Sequence, residues 1–462
     1  MNILLVNSPD LHRPIARDMA GGLGFDRGSR TLLPPLDLLM FGTVLRRAGH
    51  QVAVIDGQIA PAAIWSDIEA ALPSSPQAIV ATASLPSLEE DIAFLTELRQ
   101  RFPDPCRIAA RTTLRDSALL ERILRESGCD LAIHGECDLI IAVLLAGQSR
   151  TGTAWLDDGL YREEADVLER ALSQLPVPDR SLLNNQVYAY GDLGQSVTTM
   201  QTSRGCPFSC GYYCPYPLVQ GKKWRFMSAA RVVAEIADIA ARDDIQAILF
   251  RDATFTLDRK RTLEICAGVQ SLGRRLSWWC ETRIDCVDDE MLAAMAAAGC
   301  KGINFGIESG DPRMLASLAK VGVDLDAIRK VRQSCRRFGI LTRFLMVLGL
   351  PGEDADSLAA TFRLVREENP DFIGVTTITP YPGTPFHADA VKNGWILSDE
   401  FHAFGGHGLN VAVPPLTAAM LDFSRNAIFA VHKALQNDEK DAVQRLSAEV
   451  EQWRQSQQRT PI

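Results

Sequence analysis

The sequence predicts an α/β protein in three parts. A doubly wound, flavodoxin-like (Rossmann-like) sheet comes first, a partial (β/α)6 TIM-type barrel follows, and a helical cap ends the chain. Three observations predict this. Short apolar runs alternate with amphipathic stretches of helical period along both halves of the 462 residues. In the second half, most of these runs end in a polar or glycine-bearing group, where barrel enzymes carry their chemistry. Beyond residue 395 only helical patterning remains.

The elements follow in order. Ile3–Val6 is a strand running into Asn7-Ser8-Pro9, a loop signal. Pro34-Pro35 opens a helix with Leu36, Leu39, Met40, Val44 and Leu45 on one face, and Gly49 stops it. Strands are expected at Val52–Ile55, Ala78–Ala81, Arg107–Ala110 and Asp130–Ile133, with a helix over Glu89–Phe102. Gly21–Gly24 is not preceded by a strand as a dinucleotide fingerprint requires, and reads as a loop. Polar, irregular residues mark a linker. The barrel strands are Ser196–Thr202, Ala247–Phe250, Ser277–Cys280, Gly302–Phe305, Arg343–Val347 and Phe372–Thr377. Helices are expected at Ala230–Ala241, Asp289–Ala298, Ala419–Gln436 and Glu439–Trp453. The expected domains are therefore 1–150, a linker 151–195, the barrel 196–395 and the helical segment 396–462.

Composition narrows the function classes. With 48 Lys and Arg against 57 Asp and Glu, the net charge of −9 argues against a nucleic-acid partner. The basic groups Lys222–Arg225 and Arg336-Arg337 are short and read as local features. No run of 18 or more apolar residues predicts a membrane span. Eleven cysteines without paired spacings fit a reducing compartment, so a cytoplasmic location is expected.

Cys206, Cys210 and Cys214 stand out, in a glycine- and proline-framed loop just after a strand. Three thiolates can hold a [4Fe–4S] cluster and leave one iron without a protein ligand. Structural zinc wants four ligands and no nearby pair supplies the fourth. A disulfide does not suit a reducing compartment. Buried, inert thiols are the remaining alternative, and that is the reading for the other eight cysteines.

The loop resembles that of radical S-adenosylmethionine (SAM) enzymes, with one residue more in its second gap, Gly211-Tyr212-Tyr213. The strand ends Gly306-Ile307-Glu308-Ser309-Gly310 and Gly349-Leu350-Pro351-Gly352 extend the likeness. Pro34–Asp56, His134-Gly135-Glu136 and the bridge Leu175–Arg180 are similar to the cobalamin-binding domain and linker that precede many such barrels. The chain thus resembles the cobalamin-dependent radical SAM enzymes of methyltransferase type. The resemblance implies a [4Fe–4S] cluster on Cys206, Cys210 and Cys214. It implies SAM contacts from Tyr213, Tyr216, Arg283, Glu308, Ser309 and Gly349. It implies cobalamin contacts from Pro35, Leu36, Gly135 and Glu136. Asp10-Leu11-His12 lacks the glycine of the cobalt-histidine motif, and Ala109-Ala110 stand where a Gly-Gly step accommodates the cobalamin tail. No histidine ligand to cobalt is expected. The implied reaction is methylation of an unactivated carbon in a small molecule, in all expectation a secondary metabolite. A flavodoxin or ferredoxin would supply electrons. The alternative keeps both cofactors and performs a rearrangement, cyclisation or oxidation.

Overall fold

A computed structural model of the protein describes residues 1–17, 23–24, 31–71, 74–318, 322–398, 400–404 and 408–459. The chain forms two compact units. One comprises Met1–Pro207 and Pro215–Arg251, the other Phe208–Cys214 and Asp252–Ile462.

The first unit contains β1 (Asn2–Asn7), the short β2 (Ile15–Ala16) and β3 (Leu23–Gly24), β4 (Gln51–Asp56), β5 (Ala78–Ala83), β6 (Arg107–Thr112) and β7 (Leu131–Ile133). Then come β8 (Thr153–Asp157), β9 (Leu160–Glu163), β10 (Ala189–Tyr190), β11 (Gly194–Gln195), β12 (Val197–Met200), β13 (Ser203–Arg204), β14 (Arg225–Phe226) and β15 (Ala247–Phe250). Its helices are α1 (Leu36–Arg47), α2 (Ile64–Ala71), α3 (Leu88–Arg101), α4 (Ser117–Ser127), α5 (Ile141–Leu145), α6 (Tyr216–Gln220) and α7 (Ala229–Ala240).

One sheet has the order β4-β1-β5-β6-β7-β8-β9, parallel through β7. The five parallel strands therefore run 2-1-3-4-5, the flavodoxin-like order. All six residues of β5 are buried, as a central strand covered on both faces requires. Leu38, Phe41 and Leu45 of α1 form one core with Ile3, Leu5 and Val80 of the sheet. Asp116 caps α4 by accepting from the Ala118 and Leu119 amides, and Gly128 ends it at φ 68°.

The sheet continues past residue 150. β8 pairs antiparallel with β7, and β9 with β8, so the sheet runs to Glu163 through residues expected to be irregular. Gly152, at φ 69°, makes the turn into β8. Of the expected loop Gly21–Gly24, Gly21 and Gly22 lie outside the described residues, and Leu23–Gly24 pairs with Ile15–Ala16.

The bridge Leu175–Arg180 is held at both sides. Asp179 pairs with Arg46 at 2.8 Å, and its amide donates to Thr43 Oγ1 at 2.7 Å, both on α1. Arg180, fully buried, pairs with Glu235 of α7 at 2.8 Å and donates to Thr198 Oγ1 at 3.1 Å.

The second unit contains β16 (Ser277–Thr282), β17 (Cys300–Glu308), β18 (Leu341–Leu348) and β19 (Phe372–Thr377). Each pairs in parallel with the next. Its helices are α8 (Arg259–Gln270), α9 (Asp289–Ala297), α10 (Pro312–Ser317), α11 (Leu325–Phe338), α12 (Ala355–Glu368), α13 (Pro385–Lys392), α14 (Ala418–Gln436) and α15 (Lys440–Arg459). With β12 and β15, paired in parallel in the first unit, all six expected barrel strands are present. Helices α14 and α15 pack on each other, with Phe423 and Trp453 stacked at 4.7 Å. Among the described residues, no helix is long and apolar enough to cross a membrane.

Candidate active site

Cys206 follows β13, and its amide donates to Gly221 O at 3.1 Å. The preceding Gly205 sits at φ 88°, where a Cβ would lie 2.3 Å from Lys223 O. Only glycine allows this close approach. Cys206 is buried, whereas Cys210 and Cys214 are half-buried. The Tyr213 and Cys214 amides both donate to Cys210 O, at 3.2 and 3.0 Å, which folds these residues into one tight turn.

Among the described residues, none of the eleven cysteines is paired in a disulfide. Burial pushes the thiols of Cys129 and Cys286 up to about 11, and those of Cys137, Cys266 and Cys335 up to about 12. They stay protonated and are poor metal ligands. Among the described residues, no three His, Cys, Asp or Glu side chains converge on a metal-sized position. The donor chemistry of the loop nevertheless suits the implied cluster. It offers three sulfurs, no carboxylate and no imidazole between Cys206 and Cys214.

In the second unit, several expected residues meet. Burial raises the Tyr213 phenol well above its usual value, and Glu308, Cys210 and Cys214 add to this, while Arg283 opposes it. The five side chains therefore share one neighbourhood. The Arg283 guanidinium stacks 3.8 Å over the Phe208 ring and makes paired 2.8 Å bonds to Asp285. Glu308 adopts φ 70°, uncommon for a residue with a side chain, at an irregularity where β17 leaves its register with β18. Ser309 is fully buried, and its Oγ accepts from the Asp311 amide at 3.2 Å. A Cβ on Gly310 would lie 2.5 Å from Ala360 O, so glycine lets the chain turn here.

Two groups near this cluster of residues were not legible in sequence. Burial lifts Tyr381 to about 12, with Cys214 close enough to contribute. Glu353 is fully buried, and its Oε2 accepts from the Gly349 and Leu350 amides at 2.6 and 3.3 Å. It thereby fixes the turn in which Gly349 sits at φ 91°. Its Oε1 has no partner among the described residues. The sequence signal was the glutamate right after the Gly349–Gly352 turn.

Burial pushes the Glu353 carboxyl up to about 8 from an ordinary 4.5. The folded state then holds a proton that the unfolded state releases above about pH 4.5. Its contribution to stability is full below that pH and is lost as pH rises through about 8. Urea unfolding between pH 5 and 8 is expected to show stability falling by at most ~1.4 kcal/mol per pH unit from this group. Glu353→Gln should flatten that slope, and an unchanged slope would contradict the assignment.

In the first unit, Pro35 and Leu36 open α1 and are buried. Pro35, Asp37, Leu38, Thr82, Arg111 and Thr113 line a crevice. It lies at the carboxyl ends of β5 and β6, where doubly wound sheets bind ligands. Arg17 also lines it, and its Nε has no partner among the described residues. Arg17, Asp37 and Arg111 supply its charged groups, while most of its exposed wall is apolar. Burial raises the Asp37 carboxyl, and Arg111, 2.7 Å away, opposes this. Gly135 packs against the Gly152 and Val167 backbones, where a Cβ would meet atoms at 3.1 and 3.2 Å. Glu136 is committed elsewhere in the protein. It binds Arg225 through both oxygens, at 2.6 and 2.7 Å, and Arg204 at 3.2 Å. Tyr216 begins α6 and is half-buried.

Residues 200–365 match the model of the radical SAM superfamily. That stretch of the chain is thus a radical SAM domain. Its radical SAM domain is one that uses a [4Fe–4S] cluster and SAM. Among curated relatives, an uncharacterized methyltransferase of Pyrococcus horikoshii is 28% identical over 374 residues, 79% of this chain and 80% of that protein. The anaerobic magnesium-protoporphyrin IX monomethyl ester cyclase of Cereibacter sphaeroides is 24% identical, covering 73% of this chain and 56% of that protein. Among solved structures, the radical SAM methyltransferase TsrM from Kitasatospora setae, with cobalamin and a [4Fe–4S] cluster bound, aligns with a TM-score of 0.69. It is 18% identical and the match covers 91% of this chain and 84% of that one. The cobalamin-dependent radical SAM enzyme OxsB, with aqua-cobalamin and SAM bound, aligns with a TM-score of 0.73 at 16% identity, over 98% of this chain and 71% of that one. The protein thus shares its α/β architecture with both.

Proposed function

We propose that this radical SAM enzyme is a cobalamin-dependent methyltransferase acting on an unactivated carbon of a small molecule. The observation that carries the reading is the joining of two things in one chain. One is the three-cysteine loop in a matched radical SAM domain. The other is a 2-1-3-4-5 sheet with a crevice, bordered by Arg17, Asp37 and Arg111, at its strand ends. When bound, the cluster supplies the electron that cleaves SAM, and cobalamin carries the methyl group.

The chain's own residues supply position and shelter. Cys206, Cys210 and Cys214 hold the cluster. Tyr213, Tyr216, Arg283, Glu308, Ser309 and Gly349 form the SAM surface, with Glu353 fixing the Gly349 turn. Pro35, Leu36 and Gly135 shape the cobalamin face, and Glu136 supports it through its arginines. The cobalamin domain runs to about residue 163 in this reading, the barrel from 196 to 395 and the cap from 396 onward. A cytoplasmic location and a flavodoxin or ferredoxin donor belong to the same reading. Likeness to the cyclase favours a second reading, a ring-forming or oxidative reaction with the same cofactors.

Methyl-deuterated SAM separates the two. The first reading expects one labelled methyl per product, with equal amounts of 5′-deoxyadenosine and S-adenosylhomocysteine. Product without label, or formed without cobalamin, would overturn it and favour the second.

A further inference from the structure

The gap Gly211-Tyr212-Tyr213 is one residue longer than the radical SAM pattern leads one to expect. The structure gives the added residue a place. Cys210 O accepts from the Tyr213 amide and also from the Cys214 amide, so the lengthened gap closes Cys214 back on Cys210. The two tyrosines then diverge in their partners. Tyr213 lies with Glu308, Cys210 and Cys214. Tyr212 donates its phenolic proton to Asp389 Oδ2 of α13 at 2.7 Å. Its ring meets Phe386 of the same helix edge-on, with centroids 5.8 Å apart at 63°. Phe386 is fully buried in a core with Leu350, Ile378, Val411 and Val413, against which both tyrosines pack. Leu350 belongs to the turn fixed by Glu353.

We propose that Tyr212 and Asp389 are a positioning pair that anchors the Cys210–Cys214 turn to α13 and so sets the environment and lability of the cluster those cysteines hold. The inference rests on the assignment of the cluster to Cys206, Cys210 and Cys214. A longer loop has more backbone freedom, and a loosely held ligand loop lets the cluster distort and lose iron. A hydrogen bond to a carboxylate combined with an edge-on aromatic contact restores the constraint. The anchor also ties the loop to the segment leading into the C-terminal region, through Phe386 and Trp395, whose rings lie 6.5 Å apart.

The test uses the full chain, reconstituted anaerobically, with Tyr212→Phe, Asp389→Ala and the double variant. Three quantities are measured: iron release to a chelator, the electron paramagnetic resonance spectrum of the reduced cluster with and without SAM, and thermal unfolding. Each single variant should keep the parent's unfolding temperature and load a cluster. Each should release iron about fivefold faster, the equivalent of ~1 kcal/mol, and change the spectrum seen with SAM. The double variant should go no further than either single one, because one bond is lost in all three. Parental release and spectra, additive effects, or a lower unfolding temperature without spectral change would overturn the proposal. Cys210→Ala is run alongside. If that variant keeps the parent's cluster, the cluster assignment itself has failed, whatever Tyr212 does.

Discussion

Replacing Cys210 with Ala is expected to abolish the brown cluster absorbance and all 5′-deoxyadenosine formation. The expected loss is complete because the loop offers three sulfurs and no spare ligand. No His, Asp or Glu lies between Cys206 and Cys214 to substitute. The other cysteines cannot take over, since burial holds most of their thiols protonated, Cys266 and Cys335 at about 12. Cys300→Ala is the matched control. Cys300 is buried in β17, and its Sγ donates to Gly302 O at 3.5 Å. That variant should fold less stably through a packing defect but keep its cluster and its SAM cleavage. Iron content, visible absorbance and product quantification after reduction with dithionite check both. SAM cleavage by Cys210→Ala at the parent's rate would remove the cluster from this loop.

The frame of the protein was legible because apolar periodicity carries it. Strands such as Ala78–Ala83 and Phe372–Thr377 are short apolar runs between loop signals, and they lie where the sequence places them. The edge strands Thr153–Asp157 and Leu160–Glu163 were not legible. They are antiparallel, and β9 is exposed at all but Tyr161, so Glu163, Arg162 and Asp157 hide the pattern that buried strands display. The site divides in the same way. Tyr213, Glu308 and Arg283 stand in recognisable motifs, and the second unit brings them together. Tyr212 acts through a partner set by tertiary structure, Asp389, which no local pattern announces, whereas Glu353 acts on the Gly349 amide four residues before it. Asp389 lies 177 residues from Tyr212 in the chain.

Glu136→Ala should cost the cofactor-free protein roughly 3–5 kcal/mol of stability, the range for breaking a buried ion pair from one side. The sequence resemblance places Glu136 against cobalamin, yet its carboxylate already has protein partners. Both of its oxygens meet Arg225, one also meets Arg204, and it accepts from the Glu169 amide at 2.9 Å. The side chains of Glu136 and Arg225 are each only 7% exposed. Burial would lower the basicity of Arg204, but Asp138 and Glu136 outweigh it and hold Arg204 above its ordinary value. Removing Glu136 therefore strands Arg225 as a buried charge without its carboxylate, while Arg204 keeps Asp138 at 2.6 Å. Glu136→Gln should cost less, since an amide oxygen still accepts one bond. Urea unfolding of the protein without cobalamin distinguishes the two roles. A residue that acts by touching the cofactor would leave that stability at the parent's value and lower only cobalamin affinity. A residue that clamps Arg225 and Arg204 lowers it whether or not cobalamin is added, and the charge geometry around Glu136 argues for the clamp.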